Sequence, residues 1–191
     1  MKIAVCIKQV PAKDAPLQIP EGGAWIRETD IGFETNEPDG FALEEALRLK
    51  EKHGGKVTVI TMGPPQAEIA LREAIAMGAD EAVLLTDRAF AGSDTWATAY
   101  TLSKAVEQIG ADVILCGKQA IDGDTAQVGP GIATHLDLPQ ITYVRKIEKI
   151  EGHLLRAERA HVGWLLDLQW REIAGQLLMP GILVEVRRSE V

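Results

Sequence analysis

Several residue types and motifs that define common functional classes are scarce or missing in this sequence. The 191 residues include two cysteines, which lie far apart, and four histidines, which lack the spacing of metal ligands. The net charge of −8 argues against the basic face that nucleic-acid binding requires. No apolar run approaches the roughly 18 residues of a membrane-spanning helix. We therefore expect no metal site, no contact with nucleic acid and no transmembrane segment.

Signatures of self-sufficient catalysis are missing as well. The chain contains neither a Gly-x-x-x-x-Gly-Lys-Ser/Thr phosphate loop nor a Gly-x-Ser-x-Gly nucleophile elbow. It also lacks a Gly-x-Gly-x-x-Gly fingerprint after its first apolar stretch, which disfavours an ordinary NAD-binding Rossmann domain. We expect no catalytic residues, and therefore a carrier or binding protein rather than a self-sufficient enzyme.

The N-terminus does not resemble a secretion signal. Residues 1–7 enter an apolar strand pattern at once, without a longer apolar core or a small-residue cleavage site. Cys6 and Cys116 fall in predicted buried strands, where a free cysteine behaves as a small core hydrophobe. These features predict a reduced, cytoplasmic setting.

What the sequence does contain is a strict alternation of strand and helix patterns. Short apolar, β-branched stretches alternate with amphipathic stretches that end at glycines. This order predicts an α/β fold with a doubly wound parallel sheet. The predicted strands are 2–7, 56–61, 81–85 and 113–117, and the predicted helices are 41–53, 66–77, 95–109 and 132–136.

Two parts of the chain depart from this alternation. Residues 8–35 form a long irregular segment, in which 17–19 and 24–26 are predicted to pair as a small hairpin and Trp25 to act as a packing lid. Asp39 is the expected cap of the first helix.

From residue 140 the pattern becomes strand-like and predicts a β-hairpin of 144–150 with the segment from 154 onward. Residues 164–170 fit either strand or helix, and 182–186 suggest a final strand. We expect one domain over 1–191, with a core over 1–139 and a divergent, strand-rich extension over 140–191.

The segment 117–130, between a predicted strand and a predicted helix, is the main candidate site. Gly117, Gly123 and Gly129 permit close backbone approach or a positive φ, and the following helix start offers free N–H groups to an anion. An ordinary strand–helix connection remains the alternative at this point. Loops 8–11, 61–65 and 86–95 end neighbouring strands at the same predicted sheet edge, where ligands bind in such folds, and this convergence favours a nucleotide pocket.

These stretches also resemble a known family. The residues that carry the resemblance are 5–11, Asn36 with 42–50, 61–65, 76–80 and, above all, 117–130. Together they are similar to the electron transfer flavoprotein small (beta) subunit, in the family's order, from residue 1 to about residue 150.

The resemblance implies an adenine-nucleotide-α-hydrolase-like domain that pairs with a larger alpha subunit. In the ordinary form this subunit holds AMP, whereas a second branch holds FAD in that position and performs electron bifurcation. Residues 86–98 and 122–130 resemble that branch, which includes the nitrogen-fixation-associated Fix-type subunits. The implied function is to carry electrons between flavin dehydrogenases and an acceptor, such as a quinone or ferredoxin.

The same resemblance implies a set of cofactor contacts. The loop before the third helix would cover a pyrophosphate or flavin, with Asp94 and Thr95 at a helix start where a pyrophosphate could rest. The residues implied to bind FAD or AMP are Cys6, Ile7, Lys8, Asn36, Asp39, Met62, Gly63, Asp87, Asp94, Thr95, Thr98, Gln119, Ala120, Asp122, Gly123, Asp124, Thr125, Ala126, Gln127, Val128 and Gly129.

The end of the chain departs from the family pattern. Residues 160–176 do not match it, and the family's C-terminal arm, which reaches toward dehydrogenases and wraps the alpha subunit, is not expected. Two alternatives to an electron carrier therefore stay open. One is a non-redox module that binds AMP or ATP, homodimeric in one form, and the other is a structural interaction protein.

Overall fold

The computed structural model describes residues 1–23, 26, 27, 29, 31–151 and 154–160, together with the backbone of Gly175–Leu178 and Leu183–Arg188. The helices and strands in chain order are β1 (Lys2–Cys6), β2 (Gln9–Pro11), β3 (Phe33–Thr35), α1 (Glu37–His53), β4 (Lys56–Met62), α2 (Glu68–Met77), β5 (Glu81–Leu85), α3 (Thr95–Ile109), β6 (Val113–Cys116), α4 (Val128–Leu136), β7 (Gln140–Glu151), β8 (Leu154–Arg159), β9 (Gly175–Leu178) and β10 (Leu183–Arg188). Within these ranges, no helix combines the length and the apolar character needed to cross a bilayer.

The predicted parallel sheet is confirmed by the four strands β6, β1, β4 and β5, which pair side by side in that order. Side chains of a strand alternate between the two sheet faces, so β1 contributes to two separate cores. Ile3 and Val5 pack with α1 and α2 on one face. Ala4 and Cys6 pack with α3 and α4 on the other. The sheet is therefore covered by helices on both faces, as its nearly continuous apolar strands require.

Strand order reverses at β1. From β1 the chain runs through α1 to β4 and through α2 to β5, and then returns through α3 to β6 on the opposite side of β1. The loops that follow β1 and β6 therefore leave the sheet toward opposite faces. A crevice opens between them at the carboxyl ends of the strands, which is where ligands bind in doubly wound sheets.

The predicted C-terminal hairpin is also confirmed, and it extends the sheet. β7 and β8 pair antiparallel, and β9 lies between β7 and β6, antiparallel to both. β10 pairs parallel with β8 at the outer edge. The parallel core thus continues into a mixed sheet of eight strands among the described segments.

The long segment after β1 differs from its prediction. Its described strands are β2 and β3, which pair antiparallel with each other, whereas residues 17–19 form no strand. One backbone hydrogen bond, from the Arg27 N–H to the Gln18 carbonyl (2.8 Å), links the first predicted arm to the residue that follows the second. Residues 24 and 25, including the predicted Trp25 lid, lie outside the described residues, as does the segment 164–170.

Two helices begin four residues earlier than predicted, and proline is involved in both cases. α1 starts at Glu37 rather than at residue 41, and α4 starts at Val128 rather than at residue 132. Pro38 and Pro130 lie in the first turns, where a missing N–H costs nothing because those N–H groups have no intrahelical partner. Asp39 is consequently the third residue of α1, and its predicted role as the helix cap is wrong.

Two helical glycines should respond in opposite ways to alanine substitution. A methyl group on Gly131 in α4 would lie 2.6 Å from the Ala99 methyl of α3, whereas one on Gly40 in α1 would meet nothing within 4 Å. Gly40→Ala should stabilise the fold by about 0.5–1 kcal/mol because alanine loses less backbone entropy. Gly131→Ala should destabilise it by about 1–2 kcal/mol, since overpacking outweighs that gain.

Urea unfolding of the two variants and the parent chain measures both effects. Equal stabilisation by the two substitutions would contradict the packing of α4 against α3.

Candidate functional site

A cleft of about 340 Å³ lies at the crevice between β1 and β6. This volume is within the range of small-molecule sites in proteins, about 300–1,000 Å³. Its walls come from the segments that follow β1, β4 and β6 and from the first turns of α3 and α4. The four loops that the sequence predicted to converge do therefore contribute to a single cleft.

A buried carboxylate joins the two strand ends that flank the cleft. Asp39 is only 6% exposed, and its Oδ2 accepts a hydrogen bond from the Lys8 N–H just beyond β1 (2.7 Å). The Gly117 N–H, just beyond β6, donates to the same carboxylate. A side chain at position 117 would overlap Asp39 and approach the Pro38 carbonyl carbon to 2.8 Å, so this close approach requires glycine.

Burial of this carboxylate changes its titration. Removal from water raises the pKa of Asp39 to about 7, against the opposing effects of hydrogen bonds from Asn36, Lys8 and Gly117 and of the Lys8 charge. Desolvation is thus the larger effect, even though three donors favour the ionised form.

Asn36 holds the loop after β6 from the same side of the cleft. The residue is buried, its Nδ2 donates to the Gln119 carbonyl (3.0 Å), and its Oδ1 accepts from the Ile121 N–H (3.0 Å). Its own backbone N–H donates to the Lys8 carbonyl (2.9 Å). Both ends of the amide are therefore bonded to protein backbone, and Asn36 shapes the cleft wall by positioning this loop.

The two helix starts at the cleft differ in their electrostatics. Asp94 caps α3, because its Oδ1 accepts from the Ala97 N–H (2.8 Å). α4 has no side-chain cap, since the Gln127 Oε1 instead accepts from the Thr95 hydroxyl (2.9 Å). An anion is attracted to free N–H groups and to the positive end of a helix dipole, and a capping carboxylate repels it. Of the two helix starts at which the sequence predicts an anion, the start of α4 is therefore the more favourable one.

The loop that leads into α4 takes an unexpected backbone conformation. Positive φ occurs at Asp124 (55°) and Ala126 (54°), and not at Gly117, Gly123 or Gly129. Of the two uses of glycine that the sequence suggests here, close backbone approach is the one found at Gly117. The Gln119 amide donates to the Asp124 carboxylate and helps to hold that turn. Alanine in this region costs about 1–2 kcal/mol, and such strain is typical of ligand-binding loops.

Most of the residues predicted from the sequence line the cleft together. The predicted residues that form its walls are Cys6, Ile7, Lys8, Asn36, Asp39, Met62, Asp94, Thr95, Thr98, Gln119, Ala120, Gly123, Thr125, Ala126, Gln127, Val128 and Gly129.

Four predicted residues do not line it, namely Gly63, Asp87, Asp122 and Asp124. Asp122 forms an exposed ion pair with the Lys8 ammonium group (2.7 Å). Asp87 caps a short 3₁₀ turn by accepting from the Ala89 N–H (2.8 Å). In the structure these carboxylates therefore hold loops in place.

The cleft also contains residues that are absent from the set of cofactor contacts implied by the family resemblance. Leu102 follows Thr98 by one helical turn, so the period of α3 could have indicated it. Lys118 is 7% exposed, its Nζ lies 5.1 Å from the centre of the Tyr143 ring, and burial lowers its pKa. The full set of added lining residues is Phe90, Gly92, Ser93, Leu102, Cys116, Gly117 and Lys118.

The raised pKa of Asp39 predicts a specific pH dependence of stability. Between its ordinary value near 3.8 and about 7, the folded chain binds this proton more tightly than the unfolded chain. The contribution of Asp39 to stability should therefore be greatest below pH 4, fall as pH rises toward 7, and stay constant above that.

Urea unfolding of Asp39→Asn and the parent chain at several pH values tests this dependence. The free energy of unfolding of the parent relative to that of the variant should fall by about 1 kcal/mol as the pH rises from 5 to 6. Asp14→Asn on the surface is the matched control and should show no such trend. Parallel profiles for the parent chain and Asp39→Asn would contradict the burial argument.

Comparison with known proteins provides independent information on this cleft. A family model described as the electron transfer flavoprotein domain matches residues 24–164. The electron transfer flavoprotein subunit beta of Thermoanaerobacterium thermosaccharolyticum is 62% identical over 160 residues, which cover 84% of this chain and 61% of the relative.

Two further relatives carry other names. Protein FixA of Azorhizobium caulinodans is 52% identical over 178 residues, covering 90% of this chain and 63% of the relative. The acryloyl-CoA reductase electron transfer subunit gamma of Anaerotignum propionicum is 48% identical over 162 residues, covering 83% and 60%. The chain thus spans about three fifths of the length of these curated relatives.

Proposed function

The chain belongs to the electron transfer flavoprotein family, as a protein of the beta-subunit and FixA type, and we propose that its cleft binds the adenosine and phosphate parts of FAD. AMP is the alternative ligand. The observation that supports this proposal most strongly is the uncapped start of α4, which opens on a cleft at the switch point of the sheet. A phosphate group is the ligand that free helical N–H groups prefer.

The residues in the cleft fit a dinucleotide in three ways. The Val128 and Gly129 N–H groups at the start of α4 would take a phosphate, and the Lys118 charge lies within the same walls. Asn36 and Asp39 would keep the two flanking loops in place before a ligand arrives, which lowers the entropic cost of binding. Leu102 and Met62 contribute apolar surface that would exclude water from the ligand.

In such a site, the bound ligand and the protein contribute different properties. A bound flavin supplies the electron-transfer chemistry, while the protein supplies binding, orientation and shielding from water. No side chain of this chain needs to act as a general acid or base. The burial and hydrogen bonding around the cleft would set how readily the ligand accepts electrons.

The wider role follows from the family. We propose that the chain works as one domain, with a core over 1–139 and an extension over 140–191, in a heterodimer with an alpha subunit. The complex would pass electrons between flavin dehydrogenases and an acceptor such as a quinone or ferredoxin. Electron bifurcation is the specialised form of this role, which the resemblance of residues 86–98 and 122–130 to the bifurcating branch implies. The Anaerotignum propionicum relative is named as an electron transfer subunit of a reductase, which supports a redox enzyme as the partner.

Gln127 provides the sharpest test of the cleft as a nucleotide site. Its side chain lines the cleft and accepts a hydrogen bond from Thr95, so it connects the starts of α3 and α4. Gln127→Ala should weaken binding of FAD or AMP by roughly tenfold, corresponding to the loss of about 1.4 kcal/mol. Titration calorimetry with FAD, AMP and ATP measures this change and the ligand preference together.

Gln108→Ala, at an exposed position late in α3, is the matched control and should leave affinity unchanged. A preference for FAD over AMP and ATP would count against the non-redox alternative. Failure of the parent chain to bind any adenine nucleotide would contradict the proposed function.

A further inference from the structure

Two thiols lie side by side at the floor of the cleft. Cys6 is the last residue of β1, Cys116 is the last residue of β6, and the two are direct partners in the parallel register. Both belong to the core on the α3 and α4 face, so both side chains leave the sheet on the same side. They are 7% and 6% exposed, and both line the cleft. The cleft is therefore the route by which a small molecule reaches the two sulfur atoms.

The spacing of these residues is compatible with a disulfide bond. Neighbouring strands lie about 4.8 Å apart, and disulfides join residues whose Cα atoms are about 4.4–6.8 Å apart. We propose that Cys6 and Cys116 are a dithiol that a hydroperoxide converts reversibly into a disulfide at the floor of the cleft. Small thiols would reach this bond through the cleft by the same route as the oxidant, so thiol–disulfide exchange should reverse it.

The local contacts indicate which sulfur reacts first. A hydrogen bond with Cys6, followed by burial, raises the pKa of the Cys116 thiol well above its ordinary value. Because ionisation of the Cys116 thiol is disfavoured, we assign the first attack on the oxidant to Cys6 and the second step to Cys116.

The reaction then balances in two steps. The Cys6 sulfur attacks one peroxide oxygen, the O–O bond breaks, and an alcohol leaves with the thiol proton, so that Cys6 becomes a sulfenic acid. The Cys116 sulfur next attacks the Cys6 sulfur, the S–O bond breaks, and water leaves with the Cys116 proton. The two thiols lose two electrons in total, and the hydroperoxide is reduced by two.

The position of the bond would couple oxidation to the shape of the cleft. Lys8 follows Cys6 by two residues, and Gly117 follows Cys116 directly. The N–H groups of both residues donate to the Asp39 carboxylate. A covalent bond between the strand ends would therefore act on the same two donors that hold the cleft together.

Thiol titration and intact-mass measurement of the native chain test this proposal. After treatment with hydrogen peroxide, the parent chain should lose both free thiols and a mass of two hydrogen atoms while remaining monomeric in a non-reducing gel. Dithiothreitol should restore both thiols. Cys116→Ser should instead accumulate a sulfenic acid on Cys6 that dimedone traps, and Cys6→Ser should be trapped far less.

Three outcomes would overturn the proposal. The first is retention of both thiols in the parent chain under conditions that oxidise free cysteine. The second is oxidation of both cysteines of the parent chain to sulfinic or sulfonic acid without formation of a disulfide. The third is a disulfide between two molecules rather than within one. Each outcome is read on the parent chain, so the result stands even where a serine variant folds poorly.

Repeating the oxidation in the presence of a nucleotide distinguishes failure of this proposal from failure of the proposed function. If FAD or AMP occupies the cleft, the nucleotide at ten times its Kd should slow disulfide formation by about tenfold, because about one chain in eleven is then free. Disulfide formation at an unchanged rate with a nucleotide that calorimetry shows to be bound would contradict entry through the cleft. A chain that binds no nucleotide yet forms the disulfide would contradict the proposed function, while the proposal of a redox-active cysteine pair would stand.

Discussion

The buried carboxylate of Asp39 is the interaction on which the geometry of the cleft depends. It accepts N–H groups from the residues that follow β1 and β6, the two strands between which the chain reverses its winding. A doubly wound sheet necessarily opens a crevice there, but nothing in the topology fixes its width. Asp39 fixes it by joining both edges to the first turn of α1. This arrangement removes the Asp39 carboxyl group from water, which disfavours its ionised form and raises its pKa.

The polar groups around Asp39 are of two kinds. Some form hydrogen bonds within the protein, and others remain available to a ligand. The Asn36 amide bonds to the backbone of the loop after β6 and to the Asp39 carboxylate, and the Asp94 carboxylate caps α3. The first N–H groups of α4 have no such side-chain partner. A negative ligand is therefore favoured at α4 and disfavoured at α3. This asymmetry would orient the proposed nucleotide with its phosphates toward Val128 and Gly129.

Much of this arrangement could be predicted from sequence because it depends on periodic patterns. The apolar strands, the amphipathic helices and the convergence of four polar loops all follow from the order of hydrophobic and polar residues. α1 and α4 start earlier than the sequence pattern predicts, because proline, here Pro38 and Pro130, is well tolerated in a first helical turn. The positive φ at Ala126 was not predictable, because alanine disfavours this region of φ.

The roles of individual polar residues were harder to predict than their location. A sequence shows that Asp39, Asn36 and Asp122 are near a strand end, but not which donor each one meets. Asp122 was predicted to contact the ligand, and instead it pairs with Lys8 beside the cleft. Such choices depend on distances between segments about 30 to 115 residues apart in the chain, which only the folded arrangement provides.

The central claim is that this cleft holds an adenine nucleotide in a flavin-carrying complex. The most direct measurement is the absorption spectrum of the chain purified with its alpha subunit, followed by identification of the nucleotide released on denaturation. The account predicts flavin absorbance and release of FAD from the small subunit, with AMP as the alternative ligand in the cleft. A complex without flavin absorbance, from which neither FAD nor AMP is released, would contradict it.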